Sequence, residues 1–246
     1  MNSYEDKITR ELAEWQSTMQ RTPSFSNESI KNFQSKIQNL IPEKVHQVIT
    51  KAVKELTRAV LFGAAFTTSK KITGPINLMD AEDHVKERIN FYTSSATAEG
   101  AITGFGGFLS GLADFPLWLS IKMKMLFEIA HSYGFDTNDY KERIYILYVF
   151  QLAFSSQQRR IELYHFISNW EQNQNNLPED INNFDWRTFQ QEYRDHLDIA
   201  KLLQLIPGIG AVVGAYINHK LTNRLGKTAM NAYRMRLVQN TPKIED

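Results

Sequence analysis

Along this chain, apolar positions recur at spacings of three and four far more often than they alternate. The cleanest stripe is Ile41, Val45, Val48, Ile49, Ala52, Val53, Leu56, Val60 and Gly63, which predicts an amphipathic helix with one buried face. Before it, Ser3 to Arg21 reads as a charged helix, with Ser3 and Asp6 at capping-box spacing. Another helix reads from Asn27 to just before Pro42. Gly74-Pro75 marks a break. A helix opens near Asp80, with Glu82 and Asp83 suited to the positive end of its macrodipole. Asp114-Phe115-Pro116 predicts a boundary, with Asp114 as a cap and Pro116 in the first turn of the next helix. That helix ends at Tyr133-Gly134, where glycine suits a left-handed C-cap. Tyr140 to Ser155 and Gln158 to Asn173 read as two further helices, and Asn173 to Asn183 as a polar linker. Asp185 opens a helix to about Leu205, Pro207-Gly208 ends it, and a long basic helix finishes near Val238. No alternating run and no Asn-Gly or Asp-Gly hairpin is present.

Two glycine-rich apolar segments interrupt this pattern. Gly100 to Ile121 carries Asp114 as its single charge, and Leu202 to Asn218 carries none. Gly100/Gly104, Gly107/Gly111 and Gly210/Gly214 are small-xxx-small pairs, a spacing that lets helix backbones approach closely. The segments could form a buried hairpin, insert shallowly into a membrane or span it. Each holds a proline, and the first an aspartate whose burial at mid-bilayer costs several kcal/mol, about 2.5–3.5 on insertion scales, which argues against spanning. The expected fold is therefore all-α: a single helical domain of about eight helices with two central Gly-rich apolar helices. Residues 1–34 read as an N-terminal helical extension, 35–238 as the domain and 239–246 as a flexible tail.

Bulk composition adds little until charge is followed along the chain. The apolar fraction of 42% and charged fraction of 22% are ordinary for a folded protein, and a mean hydropathy of -0.39 argues against a bundle of membrane spans. There is no cysteine, which excludes disulfides, a thiolate nucleophile and Cys-type zinc sites. The first fifteen residues show no basic region followed by an apolar one, so they do not read as a signal peptide. The expected location is cytoplasmic, peripheral at the inner face of the plasma membrane. The net charge of +1 hides an asymmetry: residues 1–198 carry -4, 199–244 carry +7, and Glu245 and Asp246 return -2. Lys220, Arg224, Lys227 and Arg234 share one helical face. A basic helix beside an apolar segment fits attachment to anionic lipid, or pairing with the acidic body. Nothing in the sequence matches a nucleic-acid-reading motif.

Candidate chemistry is sparse. Glu128-x-x-His131 and Glu162-x-x-His165 repeat the Glu-x-x-His unit of di-iron carboxylate sites, with Glu99 and Glu192 as further carboxylates. Lys124 shares the face of Glu128 and His131, which favours a solvated stripe over a metal site. There is no HExxH, P-loop or G-x-S-x-G elbow. His84 beside Asp83 reads as a surface histidine.

Residues Gly100 to Arg143, through Asp114-Phe115-Pro116, Ala130-His131-Ser132-Tyr133-Gly134-Phe135-Asp136 and Glu142-Arg143, resemble the EcsC family. Ile206-Pro207-Gly208-Ile209-Gly210-Ala211-Val212-Val213-Gly214-Ala215, then Asn218, Gly226 and Ala229, match it in the same order, as does Ile41-Pro42-Glu43-Lys44-Val45. The resemblance implies a helical bacterial protein, encoded in the namesake's case beside an ABC transport system, and supplies no catalytic residues. It implies partners in a membrane surface or membrane protein and in ABC transporter components.

Together these readings point to a non-enzymatic, membrane-associated accessory protein with no cofactor. Phe105, Phe108, Leu109 and Phe115 are the expected apolar contacts with lipid or a membrane protein, and Lys220, Arg224 and Lys227 the expected headgroup contacts. Asp114 and Asn218 are the polar residues expected among apolar neighbours. The alternatives are a metal-dependent enzyme on Glu128, His131, Glu162 and His165, and a soluble carrier of lipid or another apolar ligand.

Overall fold

The computed structural model describes residues 3–21, 43–61, 77–103, 107–185, 187–189 and 211–240. Eight α-helices occur among them: α1 (Ser3–Gln20), α2 (Glu43–Leu61), α3 (Leu78–Thr103), α4 (Gly107–Ser132), α5 (Tyr140–Phe154), α6 (Gln157–Ser168), α7 (Trp170–Asn173) and α8 (Ala211–Asn240). Two short 3-10 turns, Gln174–Asn176 and Ile181–Asn183, lie in the polar linker. No strand occurs among the described residues, and the molecule is an all-α single domain. The helix expected over residues 27–41, the Gly74-Pro75 break and the Pro207-Gly208 break lie outside the described residues.

Local sequence accounts for several helix ends. Asn77 caps α3, its Oδ1 accepting from the Met79 N–H at 3.0 Å. Asp139 caps α5 by accepting from the Lys141 N–H. The end of α4 is a Schellman motif. Phe135 N–H donates to the Ala130 carbonyl at 3.1 Å and Gly134 N–H to that of His131 at 2.8 Å. Gly134 makes this possible with φ of 79°. Asp185 caps the turn at residues 187–189 by accepting from Thr188 N–H.

One boundary differs from the sequence reading. Asp114-Phe115-Pro116 does not start a helix; α4 begins at Gly107 and runs through Pro116. A proline inside a helix removes one backbone bond and usually bends it. Here its ring is on the exposed face while Phe115, Trp118 and Leu119 are buried on the other. Continuous burial on one side outweighs the local breaker. Val48, placed in the buried stripe of α2 by its spacing, is exposed, whereas Ala52, Val53, Leu56 and Val60 are buried as expected.

The most extensive packing is between α3 and α8. Their approach is close at Gly226, where an added Cβ would stand 2.6 Å from Ile89 Cγ1. Helix α4 lies against α2, α3 and α8, and α5 against α2, α6 and α8. Helix α1 packs on α6 and α8 and contributes Leu12 and Met19 to the shared core.

Candidate functional site: a cationic cleft between the first and last helices

Two very different fates befall the basic residues of α8. Arg234, expected on the basic outer face, is buried. Its Nε and Nη2 clasp the two oxygens of Glu82, Nη2 at 2.6 Å from Oε2, and Nη1 reaches Glu11 Oε2 at 3.0 Å. Tyr4 OH donates to the same Glu82 carboxylate at 3.1 Å. Arg236 is buried too. Its Nη1 donates to Glu142 Oε2 at 2.7 Å, and its guanidinium lies 4.1 Å from the Phe135 ring centre and 4.4 Å from that of Tyr145. Tyr233 OH donates to the other Glu142 oxygen at 2.7 Å. The acidic body thus neutralises the C-terminal half of the basic helix through bidentate and stacked contacts that suit arginine. Burial pushes the phenols of Tyr133, Tyr145 and Tyr233 above their ordinary value, with Glu142 adding to the rise at Tyr233.

The remaining cations behave otherwise. Lys220 and Lys227 are exposed and Arg224 is half-buried. Among the described residues neither lysine has a carboxylate partner. The three line one cleft of about 300 Å³, with Asn223 and Thr228 beside them on α8 and Trp15 and Met19 facing them from α1. No carboxylate lines it among the described residues. Trp15 is fixed there by an edge-on contact with Tyr164, ring centres 5.8 Å apart. Beyond Lys227 the groove continues between Glu11, Glu14 and Arg234, so its character changes from cationic to mixed along α8. The spacing of Lys220, Arg224 and Lys227 was legible in the sequence; Trp15 and Met19 were not, because nothing local shows that α1 returns to α8.

Away from this cleft's lining, the two glycine-rich segments meet through one side-chain contact. Trp118 Nε1 donates to Asn218 Oδ1 at 2.7 Å. Asn218, read from the sequence as a polar residue among apolar neighbours, is 4% exposed, and Thr222 Oγ1 donates to its carbonyl at 2.8 Å. Phe115, one of the residues expected to contact lipid, is buried instead, stacked on Trp118 with ring centres 5.8 Å apart. The helical turn places it on the core side; the outward positions are Pro116 and Leu117, the latter 60% exposed. Tyr216 on α8 is 65% exposed. Phe105 lies outside the described residues, as do the side chains of Phe108, Leu109 and Asp114 on α4.

The paired Glu-x-x-His motifs occupy ordinary polar surroundings. Glu128 accepts from Tyr92 OH at 2.8 Å, and Glu162 pairs with Arg159 at 2.7 Å. His131 is half-buried and His165 exposed. Among the described residues no group of three or more His, Asp or Glu could hold a metal ion. The Glu99 side chain and Glu192 lie outside the described residues. His84 Nδ1 is 2.8 Å from Ser132 Oγ, which also donates to the Glu128 carbonyl.

Fold and cleft define an all-α protein built around a long last helix that buries Arg234 and Arg236 and exposes Lys220 and Lys227. Comparison with known proteins is specific: the model of the EcsC protein family matches residues 6–238, and the chain belongs to that family. It is 43% identical over 234 residues to Protein EcsC of Bacillus subtilis (strain 168), covering 95% of this chain and 96% of that protein. It is 28% identical over 254 residues to the uncharacterized protein YdbA of the same organism, covering 93% and 91%. No solved structure matches the chain.

Proposed function

We propose that this EcsC-family chain is a non-enzymatic accessory protein that binds a membrane surface from the cytoplasmic side and serves ABC-type transport there. What supports the membrane half is the exposure of large apolar side chains on two helices. Leu117 on α4 and Tyr216 on α8 are exposed, and Lys220 follows Tyr216 by one helical turn and is exposed as well. Large apolar side chains together with exposed lysines suit the boundary between headgroups and acyl chains. Each lysine near an anionic surface contributes about 1 kcal/mol, which makes reversible attachment the natural regime. Among the described residues no helix is long and apolar enough to cross a membrane, so attachment is read as peripheral. The transport half rests on what EcsC membership implies about the namesake's setting.

The test is sedimentation with anionic vesicles of the whole chain and of a Leu117→Glu, Tyr216→Glu double variant. Both positions are exposed, so the fold should persist, as a circular-dichroism melt will show. The variant should bind at least tenfold more weakly; equal binding would remove Leu117 and Tyr216 from the account.

A further inference from the structure

We infer that this chain associates with a second copy of itself, the exposed basic face of α2 on one copy docking on the exposed acidic face of α3 on the next. The contact does not depend on the membrane reading, and it uses side chains that reading leaves aside.

Two stripes of matched spacing and opposite charge carry it. On α2, Lys51, Lys54 and Arg58 stand at i, i+3 and i+7, so they share one helical face, and all three are exposed. None of the three has an ion pair or hydrogen bond among the described residues. On α3, Asp80, Asp83 and Glu87 repeat the i, i+3, i+7 spacing and are exposed as well. Asp83 already meets Lys86 at 3.2 Å, and Glu87 meets Arg88 at 3.0 Å. Surface pairs of this kind are worth little, and each carboxylate has a second oxygen with which to accept from another cation. Both stripes face solvent, so they do not neutralise each other within one chain. The two faces are different surfaces, so the contact is heterologous: each added copy presents a fresh face, and assembly continues past the dimer.

Apolar side chains set the direction. Val48 is 37% exposed one turn before Lys51, and Phe91 is 55% exposed one turn after Glu87. Laid antiparallel with Lys51 on Glu87, the faces bring Arg58 to Asp80 and Val48 alongside Phe91. Exposed Met79 then falls on half-buried Ala59, and Lys54 lies within one turn of both Asp83 and Glu87. Glu55, the exposed carboxylate on the α2 face, comes opposite Asp83, where Lys86 offsets the like charge. A parallel arrangement also pairs the charges but leaves Val48 and Phe91 at opposite ends. Ion pairs with a small apolar contact make a weak, salt-sensitive interface, and complementary charge sets which faces meet.

The experiment is sedimentation velocity of the whole chain, without vesicles, against concentration at low and high salt. The wild-type chain should self-associate beyond the dimer at about 0.01 M salt and be monomeric near 1 M, as the screening length falls from about 30 Å to about 3 Å. Two charge-reversed variants follow: Lys51→Glu, Lys54→Glu, Arg58→Glu on α2, and Asp80→Lys, Asp83→Lys, Glu87→Lys on α3. Each alone carries like charge on both faces and should be monomeric, whereas their equimolar mixture should associate again. Lysine in the first turn of α3 opposes the helix macrodipole. Should a reversed variant fail to fold, Lys51→Gln, Lys54→Gln, Arg58→Gln carries the test and should associate at least threefold more weakly than wild type. A wild-type chain that is monomeric at every concentration overturns the interface, as does a reversed or Gln variant that associates like wild type. A mixture of folded reversed variants that stays monomeric overturns the pairing of α2 with α3.

Discussion

Trp118 and Asn218, a hundred residues apart in sequence, are joined by a 2.7 Å hydrogen bond from indole Nε1 to amide Oδ1 in a nearly solvent-free setting. The bond ties α4 to α8 where the two glycine-rich segments come together. Replacing Asn218 by Leu leaves the buried indole N–H without its acceptor, which costs about 1–3 kcal/mol. Removing the donor as well, with Trp118→Phe in the same chain, should recover part of that cost. Urea denaturation of the two single variants and the double variant measures the coupling. Additive losses would mean that the bond contributes nothing.

Arg234 and Glu82 form a second internal tie, between α8 and α3. Arg234→Met takes the bidentate partner from a fully buried carboxylate, leaving it, among the described residues, only Tyr4 and the half-exposed Lys86 at 3.7 Å, and should destabilise the fold by up to about 3–5 kcal/mol. Glu82→Leu combined with Arg234→Met should be close to neutral by the same argument, since Glu11 is half-exposed and can hydrate. Thermal melts of both variants decide it. A double variant as unstable as the single one would show that packing rather than charge compensation dominates there.

These ties mark where sequence reading succeeded and where it stopped. Most of the helices and the Gly134 cap follow from local chemistry, and their residues announce them. Pro116 misled because its breaking tendency is local, while the burial of Phe115, Trp118 and Leu119 that overrides it depends on α2, α3 and α8. Arg234 misled for the same reason: its face on α8 is the face of Lys220 and Lys227, and only the arrival of Glu82 and Glu11 turns it inward. A signal existed. Glu82 stands in register with Val85, Ile89 and Tyr92, and Glu142 with Tyr145 and Val149, where an apolar residue belongs. A carboxylate in that position needs an internal cation, and the basic tail section supplies two. The cleft was legible on one side only, because its cations lie on one helix and its apolar wall on another.

Alkaline conditions should weaken the fold. The phenols of Tyr133, Tyr145 and Tyr233 are raised above their unfolded value of about 10 by burial. A raised folded-state value leaves stability fully present below about pH 10. Above it the unfolded chain releases phenolic protons that the folded chain retains, so stability falls with rising pH. Each pH unit beyond 10 costs up to about 1.4 kcal/mol per buried tyrosine. Melting temperature followed from pH 8 to pH 11, with tyrosinate absorbance read in parallel, should show ionisation of these phenols arriving together with unfolding. A flat melting temperature across that range would mean that they ionise in the folded state.

The central claim is attachment to a membrane surface through Leu117, Tyr216 and the lysines of α8. Its most direct test is density-gradient flotation of the whole chain with neutral and with anionic vesicles at low and high salt. The account predicts flotation with anionic vesicles at about 0.01 M salt, where the screening length is about 30 Å, and release near 1 M, where it is about 3 Å. A chain that stays at the bottom of the gradient with every vesicle would contradict it.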